Sequence, residues 1–441
     1  MATHAPEPTS PSEPTGARKP ANRHRLTRRG LFTLGGGVAA AGVVGGGIAA
    51  FSGGGADAAQ PGTGTAIGTA TARPQALIHP GMLHNAGDLH RAKVRVAARK
   101  APWLKGWTRL TDNRHSASTW QPRPQAVVVR GGTGQNYVTL YNDIHAAYQN
   151  ALRWQIGGTK ANGDTAVAIL NAWSATLTSV NGNADRFLAS GIYGYQFANA
   201  AELVRDHPDF EFARFKKMLR TVFMPMNTDF LTNHNTANIT NYWANWDLCN
   251  VASLMATGIL CDDRATFERA VTYMKSGAGN GSFKHAIPFV YGGQNLAQWQ
   301  ESGRDQGHTM MGMGLMGAIC EMAWNQGVDL YGHLDNRFMK AAEYVAKYNL
   351  GAAVPFTTYA WRSGQGAGRY MDQPVISDIA RGAVRPVWEI LYNHYARRRR
   401  LSTPFITLMA EKVRAEGGGG DYGPNSGGYD QLGFGTLLYS K

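Results

Sequence analysis

The chain has 441 residues, 43% of them hydrophobic and only 17% charged, which is enough apolar material for a sizeable core in one large domain or two. Three cysteines, Cys249, Cys261 and Cys320, are too few and odd in number for a disulfide framework. A formal net charge of +14 favours anionic partners such as nucleic acid, a membrane surface or an acidic polysaccharide, although general solubility is also served by such a charge.

Residues 1–22 are rich in Pro, Ser, Thr and Ala, a composition expected to be disordered. Arg28-Arg29-Gly30-Leu31-Phe32 follows and leads into a Gly/Ala/Val run reaching Ala50. Twin arginines before a mildly apolar segment read as a twin-arginine export signal, and Ala56-Asp57-Ala58 offers a small-x-small cleavage site. The glycine content argues against a stable membrane span. Residues 1–58 hold six basic groups against three acidic ones, which leaves an excess of +11 on the remainder. The expected organisation is an export signal over 1–58, a leader or linker over 59–84 and a single domain over 85–441, secreted after folding.

From about residue 85 onward, helical periodicity alternates with short Gly/Asn/Pro turns. Ile144, Ala147, Tyr148, Ala151 and Leu152 share one face of a helix over 142–156. Gly157-Gly158 joins it to a second helix over 164–179. Further helix pairs are expected at 185–205 with 210–222, 246–260 with 263–275, and 305–325 with 335–348, with another helix near 377–397. Cys249 and Cys261, twelve residues apart on one helix, would lie about 18 Å from each other, too far to bridge. All three cysteines read as buried apolar residues. Met311, Leu315, Ala318, Ile319 and Met322 form a wide stripe that reads as core. Strand-like runs are few, 125–130 and 433–439. Repeated helical hairpins of this length predict a mainly α fold, an (α/α) toroid or incomplete barrel with few short strands, whose inner helices surround a cleft.

The polar residues concentrate between Asn233 and His308. Asn233-His234 sits in a polar loop, where an amide donates to a carboxylate and an imidazole handles a proton; a helix cap with a surface histidine is the plainer reading. Tyr291 lies in a Gly-flanked turn, where a phenol serves as acid or base if cations lower its pKa, or else packs in the core. Arg304 and His308 share one helix face, and Asp305 suits the first turn of that helix. Asp305 and His308 lack an obvious third metal ligand. Trp243, Trp246 and Trp299 either stack on sugar rings or fill the core. Arg381 and Arg385 could grip a carboxylate, whereas the run 397–400 reads as a solvated helix end. No phosphate-binding loop, dinucleotide fingerprint, zinc pair or Gly-x-Ser-x-Gly elbow occurs.

The runs Tyr242-Trp243-Ala244-Asn245-Trp246-Asp247-Leu248-Cys249-Asn250 and Gln300-Glu301-Ser302-Gly303-Arg304-Asp305-Gln306-Gly307-His308 resemble alginate-lyase-like polysaccharide lyases, most nearly polysaccharide lyase family 38, whose members act on glucuronan or alginate. Ile169-Leu170-Asn171-Ala172-Trp173 and Glu343-Tyr344-Val345-Ala346-Lys347-Tyr348-Asn349 fit the same resemblance, which spans roughly 125–440. It implies an (α/α) toroid. It also implies an Asn-His pair that neutralises the uronate carboxylate and assists proton transfer, with a Tyr some 55 residues later; Asn233, His234 and Tyr291 match by type and spacing. The family pattern has an Arg shortly before that Tyr, where this chain has Lys284 and His285.

The expected reaction is β-elimination on a 4-linked uronic acid, leaving a C4–C5 unsaturated product. Asn233 and Arg304 would neutralise the carboxylate, with Arg385 further out; His234 or Tyr291 would take the C5 proton and Tyr291 would give one to O4. Trp246, Gln300, His308, His285, Lys284, Arg381 and Arg385 are the expected substrate contacts. No metal and no cofactor are expected, the partner is an anionic polysaccharide rather than nucleic acid, and the mature chain is expected to be a monomer without a membrane anchor. The alternatives are an inverting glycoside hydrolase using a pair among Asp247, Glu301 and Asp305, or an acidic-glycan binder without turnover.

Overall fold

The computed structural model describes residues 76–441. The twin-arginine segment, the cleavage site and the leader up to residue 75 lie outside the described residues. Helix α1 (Ala86–Ala97) and α2 (Trp103–Thr111) open the domain. The hairpins then follow as α3 (Tyr137–Gly157) with α4 (Lys160–Thr176), α5 (Arg186–Glu202) with α6 (Phe212–Met218) and α7 (Met224–Asn233), and α8 (Ala244–Leu260) with α9 (Arg264–Ser276). After the short α10 (Phe283–Ala286) come α11 (Gln306–Asn325) and α12 (His333–Asn349), then α13 (Trp388–Tyr392), α14 (Pro404–Val413) and α15 (Gly435–Leu438).

Helices α3, α5, α8 and α11 are buried nearly all round, polar side chains such as Asp143, Gln149 and Gln196 included. Neighbouring contacts run α1–α3–α5–α8–α11–α13–α15 and back to α1, while α4, α7, α9 and α12 cover the outside. This is the ring of helix pairs that the hairpin pattern implies, an (α/α) toroid. All three cysteines are buried and unbridged. No helix among the described residues is long and apolar enough to cross a membrane.

Strands are few. β1 (Val127–Val129) pairs in parallel with β2 (Ser179–Asn181), β3 (Phe289–Tyr291) antiparallel with β4 (Leu296–Gln298), and β5 (Tyr359–Ser363) antiparallel with β6 (Arg369–Gln373). Three expectations need correction. The strand expected over 433–439 is mostly α15, which is buried against α2 and α13. The helix expected over 377–397 starts only at Trp388, because Gly382 takes a left-handed φ of 81° and Pro386 restricts the residue before it. Residues 76–84, expected to be linker, are docked: Ile78 N–H donates to Gln326 Oε1 at 2.9 Å, and Met82 and Leu83 are buried.

Candidate active site

Helix α8 has no capping side chain of its own. Its first free N–H groups are met instead from the loop before α11, where Gln300 Oε1 accepts from Ala244 N at 2.8 Å and Glu301 Oε1 from Asn245 N at 3.2 Å. This explains why two buried polar residues stand side by side at 300–301. Gln300 also donates to Tyr359 Oη at 2.7 Å, tying β5 to the same place. Asp305 caps α11 by accepting from His308 N at 2.7 Å. The N-terminal ends of α8 and α11 are therefore locked to one loop, which presents Arg304 beside His308 in the first turn of α11.

Arg304 donates through Nη1 to Glu301 Oε2 at 3.0 Å and through Nη2 to His308 Nε2 at 3.1 Å, and its guanidinium lies 5.2 Å from the Trp243 ring. His308 Nδ1 donates to Asp305 Oδ2 at 2.7 Å. Burial pushes the Asp305 carboxyl up, but the His308 hydrogen bond and charge, with Arg304, outweigh it and hold the group below the usual carboxylate range. Glu301 is fully buried, and its carboxyl is raised by that burial in spite of Arg304.

A second basic group adjoins this one. Arg385 donates to Gly427 O at 2.8 Å and to Asp430 Oδ2 at 3.1 Å, and a methyl placed on Gly307 would come 3.9 Å from its Nη2. Asp430 is raised by burial, against the pull of Arg385, Arg130 and His308. Arg130, only 9% exposed, lies against both the Tyr137 and Tyr193 rings, 5.1 and 5.7 Å from their centres, and donates to Tyr193 Oη at 3.2 Å. Burial pushes the Tyr193 phenol far up, so it stays protonated. Of these groups His308, Tyr137 and Tyr193 stand on α11, α3 and α5, and Arg304, Arg385, Arg130 and Trp243 stand on the loops beside the helices, with Arg304 and His308 partly open at 27% and 41% side-chain exposure. Such a surface can bind and neutralise a carboxylate and stack on a pyranose ring.

Of the residues expected from the sequence, Gln300, Arg304 and His308 come together, with Arg385 beside them. The others do not join them. Asn233 is exposed and donates to Asp229 Oδ1, one turn back on α7, at 2.7 Å. His234 is 2% exposed, and its Nε2 donates to the buried Asp247 at 2.8 Å, where Tyr273 also donates at 2.7 Å. Asp247, fully buried, needs donors and takes them from His234, Tyr273 and Gly281 N, which fixes the orientation of the His234 ring, expected from the sequence to handle the proton. Tyr291 stacks on Tyr344, and its hydroxyl is shared between Gln298 at 2.7 Å and Thr357 at 2.9 Å. Trp246 packs on Tyr242 and Phe230. His285 is turned to Gly279 O and Ser282 Oγ, and Lys284 is exposed. Arg381 donates to Tyr348 O and Ala352 O, closing the C-terminal end of α12.

Arg130, Tyr137, Tyr193 and Asp430 were not visible in the sequence. They come from four separate segments, and only the ring closure brings them together. As for metals, Asp164, His207 and Asp209 place one ligand atom each within 4.8 Å of one another, but Lys160 already meets Asp164 at 2.6 and 2.8 Å and supplies the counter-charge.

Residues 99–354, more than half of the chain, match the family model described as alginate lyase. Alginate lyase A1-III from Sphingomonas species A1 is similar in structure, with a TM-score of 0.55 at 16% identity over 83% of this chain and 97% of that one. A histidine-to-alanine variant of alginate lyase A1-III complexed with tetrasaccharide gives a TM-score of 0.50 at 14% identity over the same shares. No curated protein matches the chain. The family match, carried by a toroid with a basic and aromatic inner face, leads to one conclusion: the chain belongs to the alginate lyase family and is a polysaccharide lyase.

Proposed function

We propose that this lyase cleaves a 4-linked polyuronate, glucuronan or alginate, by β-elimination. The C5–H electron pair becomes the C4–C5 double bond as the C4–O4 bond breaks, and O4 takes up a proton. The carboxylate on C5 opposes the carbanion that develops there, so positive donors at that carboxylate are the first requirement. The observation that carries the reading is Arg304, partly open, fixed by Glu301 and lying over the Trp243 ring. Arg385 and Arg130 extend the positive surface along the chain of sugars. The solved relative complexed with tetrasaccharide supports an oligosaccharide as the ligand of this fold.

The hydrolase alternative loses its carboxyls. Asp247 is buried under three donors, Glu301 caps α8 and holds Arg304, and Asp305 caps α11 and holds His308. None is left to activate a water. The first 58 residues are taken as an export leader, so that the enzyme meets its polymer outside the cell. The test is ultraviolet absorbance of the purified chain mixed separately with glucuronan, polymannuronate and polyguluronate. A rise at the unsaturated uronate band on any of them identifies elimination and the polymer. New reducing ends without that band would refute it.

A further inference from the structure

We propose that a basic groove leads away from the arginine cluster along the outer face of α2 and holds the polymer beyond the point of cleavage. The proposal rests on the polyuronate reading above and adds the surface that takes the rest of the chain. Helix α2 turns Trp103, Gly106 and Leu110 inward, and a methyl placed on Gly106 would come 2.8 Å from Leu437 N of α15. The opposite stripe, Lys105, Thr108, Arg109 and Asp112, follows helical spacing and is exposed. With Arg99 and Ala415 it lines a hollow of 540 Å³.

Two further hollows continue this one. Toward the site, Asp112 also borders a hollow of 310 Å³, whose other walls include Arg114, Pro424 and Tyr429. Tyr429 stacks on Tyr141 at 4.1 Å and precedes Asp430, the carboxylate that holds Arg385. Away from the site, Pro102 and Arg414, the chain neighbours of Ala101 and Ala415, line a hollow of 260 Å³ with Tyr392, Arg397 and Lys441. The cations along this path are not equally engaged. Arg109 meets Asp421 at 3.2 Å, Arg414 meets Glu389 at 2.6 Å, and Lys441 meets Asp88 at 2.9 Å. Arg114, Lys105, Arg99 and Arg397 are exposed and have no acidic partner among the described residues, so each hollow holds at least one unpaired cation. Among the lining side chains only Asp112 is an acid without a basic partner.

Like charges set in a concave surface reinforce one another's potential and draw in an anion. A polyuronate carries one carboxylate on every sugar, so it meets such a row of cations repeatedly, whereas a neutral glycan meets none of them. Tyr392, half-buried at the far end, offers a ring for a sugar to pack on. Continuity with the arginine cluster selects the polymer that this enzyme cleaves over other polyanions.

The test is the triple variant Arg99→Gln, Lys105→Gln and Arg397→Gln. It is compared with wild type in melting temperature, in polymer binding at several salt concentrations, and in kcat/KM on the polymer and on its tetrasaccharide, which offers the groove fewer sugars. An exposed ion pair is worth a factor of about 1.5–5, so polymer affinity and the polymer-to-tetrasaccharide ratio of kcat/KM should each fall roughly tenfold. The salt dependence of polymer binding should flatten with them. Should the triple variant melt early, Lys105→Glu alone takes its place, with a fall of about threefold expected. An affinity and a ratio both unchanged from wild type overturn the proposal. So does weakened binding of double-stranded DNA with polymer binding intact, which would assign the groove to nucleic acid. A wild type that yields no unsaturated product, while the variant still loses polymer binding, would sink the elimination reading and leave the groove standing.

Discussion

Replacing Asp247 by Ala should destabilise the domain heavily. The carboxylate is fully buried and accepts from His234 Nε2 at 2.8 Å, Tyr273 Oη at 2.7 Å and Gly281 N at 3.2 Å. Truncation leaves three donors without an acceptor between α8, α9 and the turn before α10. Each such buried donor costs ~1–3 kcal/mol. Some relaxation and water entry offset this, since a methyl leaves room for one water, so a net loss of about 4 kcal/mol is expected. With a urea dependence of ~3 kcal/mol per molar, the unfolding midpoint should drop by roughly 1 M. The assay is urea denaturation followed by tryptophan fluorescence and circular dichroism on the same samples. A midpoint within ~0.2 M of wild type would refute the view that His234, Asp247 and Tyr273 form a buried structural triad.

Other perturbations separate the remaining roles. Arg304→Lys keeps one positive charge but cannot bridge Glu301 and a carboxylate at once, so kcat/KM should fall ~10²-fold, read by the absorbance assay. Arg130→Met should preserve the fold, because the stem still packs against Tyr137 and Tyr193, yet weaken polymer binding about tenfold. The same variant should flatten the salt dependence of that binding, as seen by titration at several ionic strengths. His79 bridges Glu202 at 2.7 Å and Asp262 at 2.9 Å and so pins the entry segment to the ends of α5 and α8. Burial lowers its pKa, but the Glu202 and Asp262 contacts outweigh this and raise it above 6.5. A raised pKa gives stabilisation that is full below 6.5 and disappears as pH rises through the folded value. The melting-temperature advantage of wild type over His79→Gln should accordingly be larger at pH 5.5 than at pH 8.5; equal differences would rule the clasp out.

The helices were legible because their apolar stripes are long and periodic, and the boundaries of α8, α9 and α11 fall within two residues of those expected. The β5–β6 hairpin was not legible. Its glycine-rich tip, with Gly364, Gly366 and Gly368 all at positive φ, reads as loop in one dimension and becomes a hairpin only by docking on residues 238–241. The site divided in the same way. Arg304, Asp305 and His308 lie close in sequence, and the expected helix start put Arg304 and His308 on one face; the helix begins at Gln306, and the N-cap of Asp305 on His308 with the Arg304–His308 contact keeps the three together. Asn233-His234 has the residue types of a uronate site, but the pairing of His234 with the buried Asp247, thirteen residues on, is a matter of packing that spacing does not reveal. Arg130 carried no signal at all, since its partners Tyr193 and Asp430 lie far along the chain.

The central claim is elimination at a uronate held by Arg304. The most direct measurement is mass spectrometry of the oligosaccharides released when the enzyme acts on its polymer in heavy-oxygen water. Elimination takes no oxygen from solvent, so the products should be unlabelled, and those from the reducing side of each cut, which carry the unsaturated residue at their new non-reducing end, should be lighter by one water. Products that carry one heavy oxygen for every bond cleaved would contradict the account.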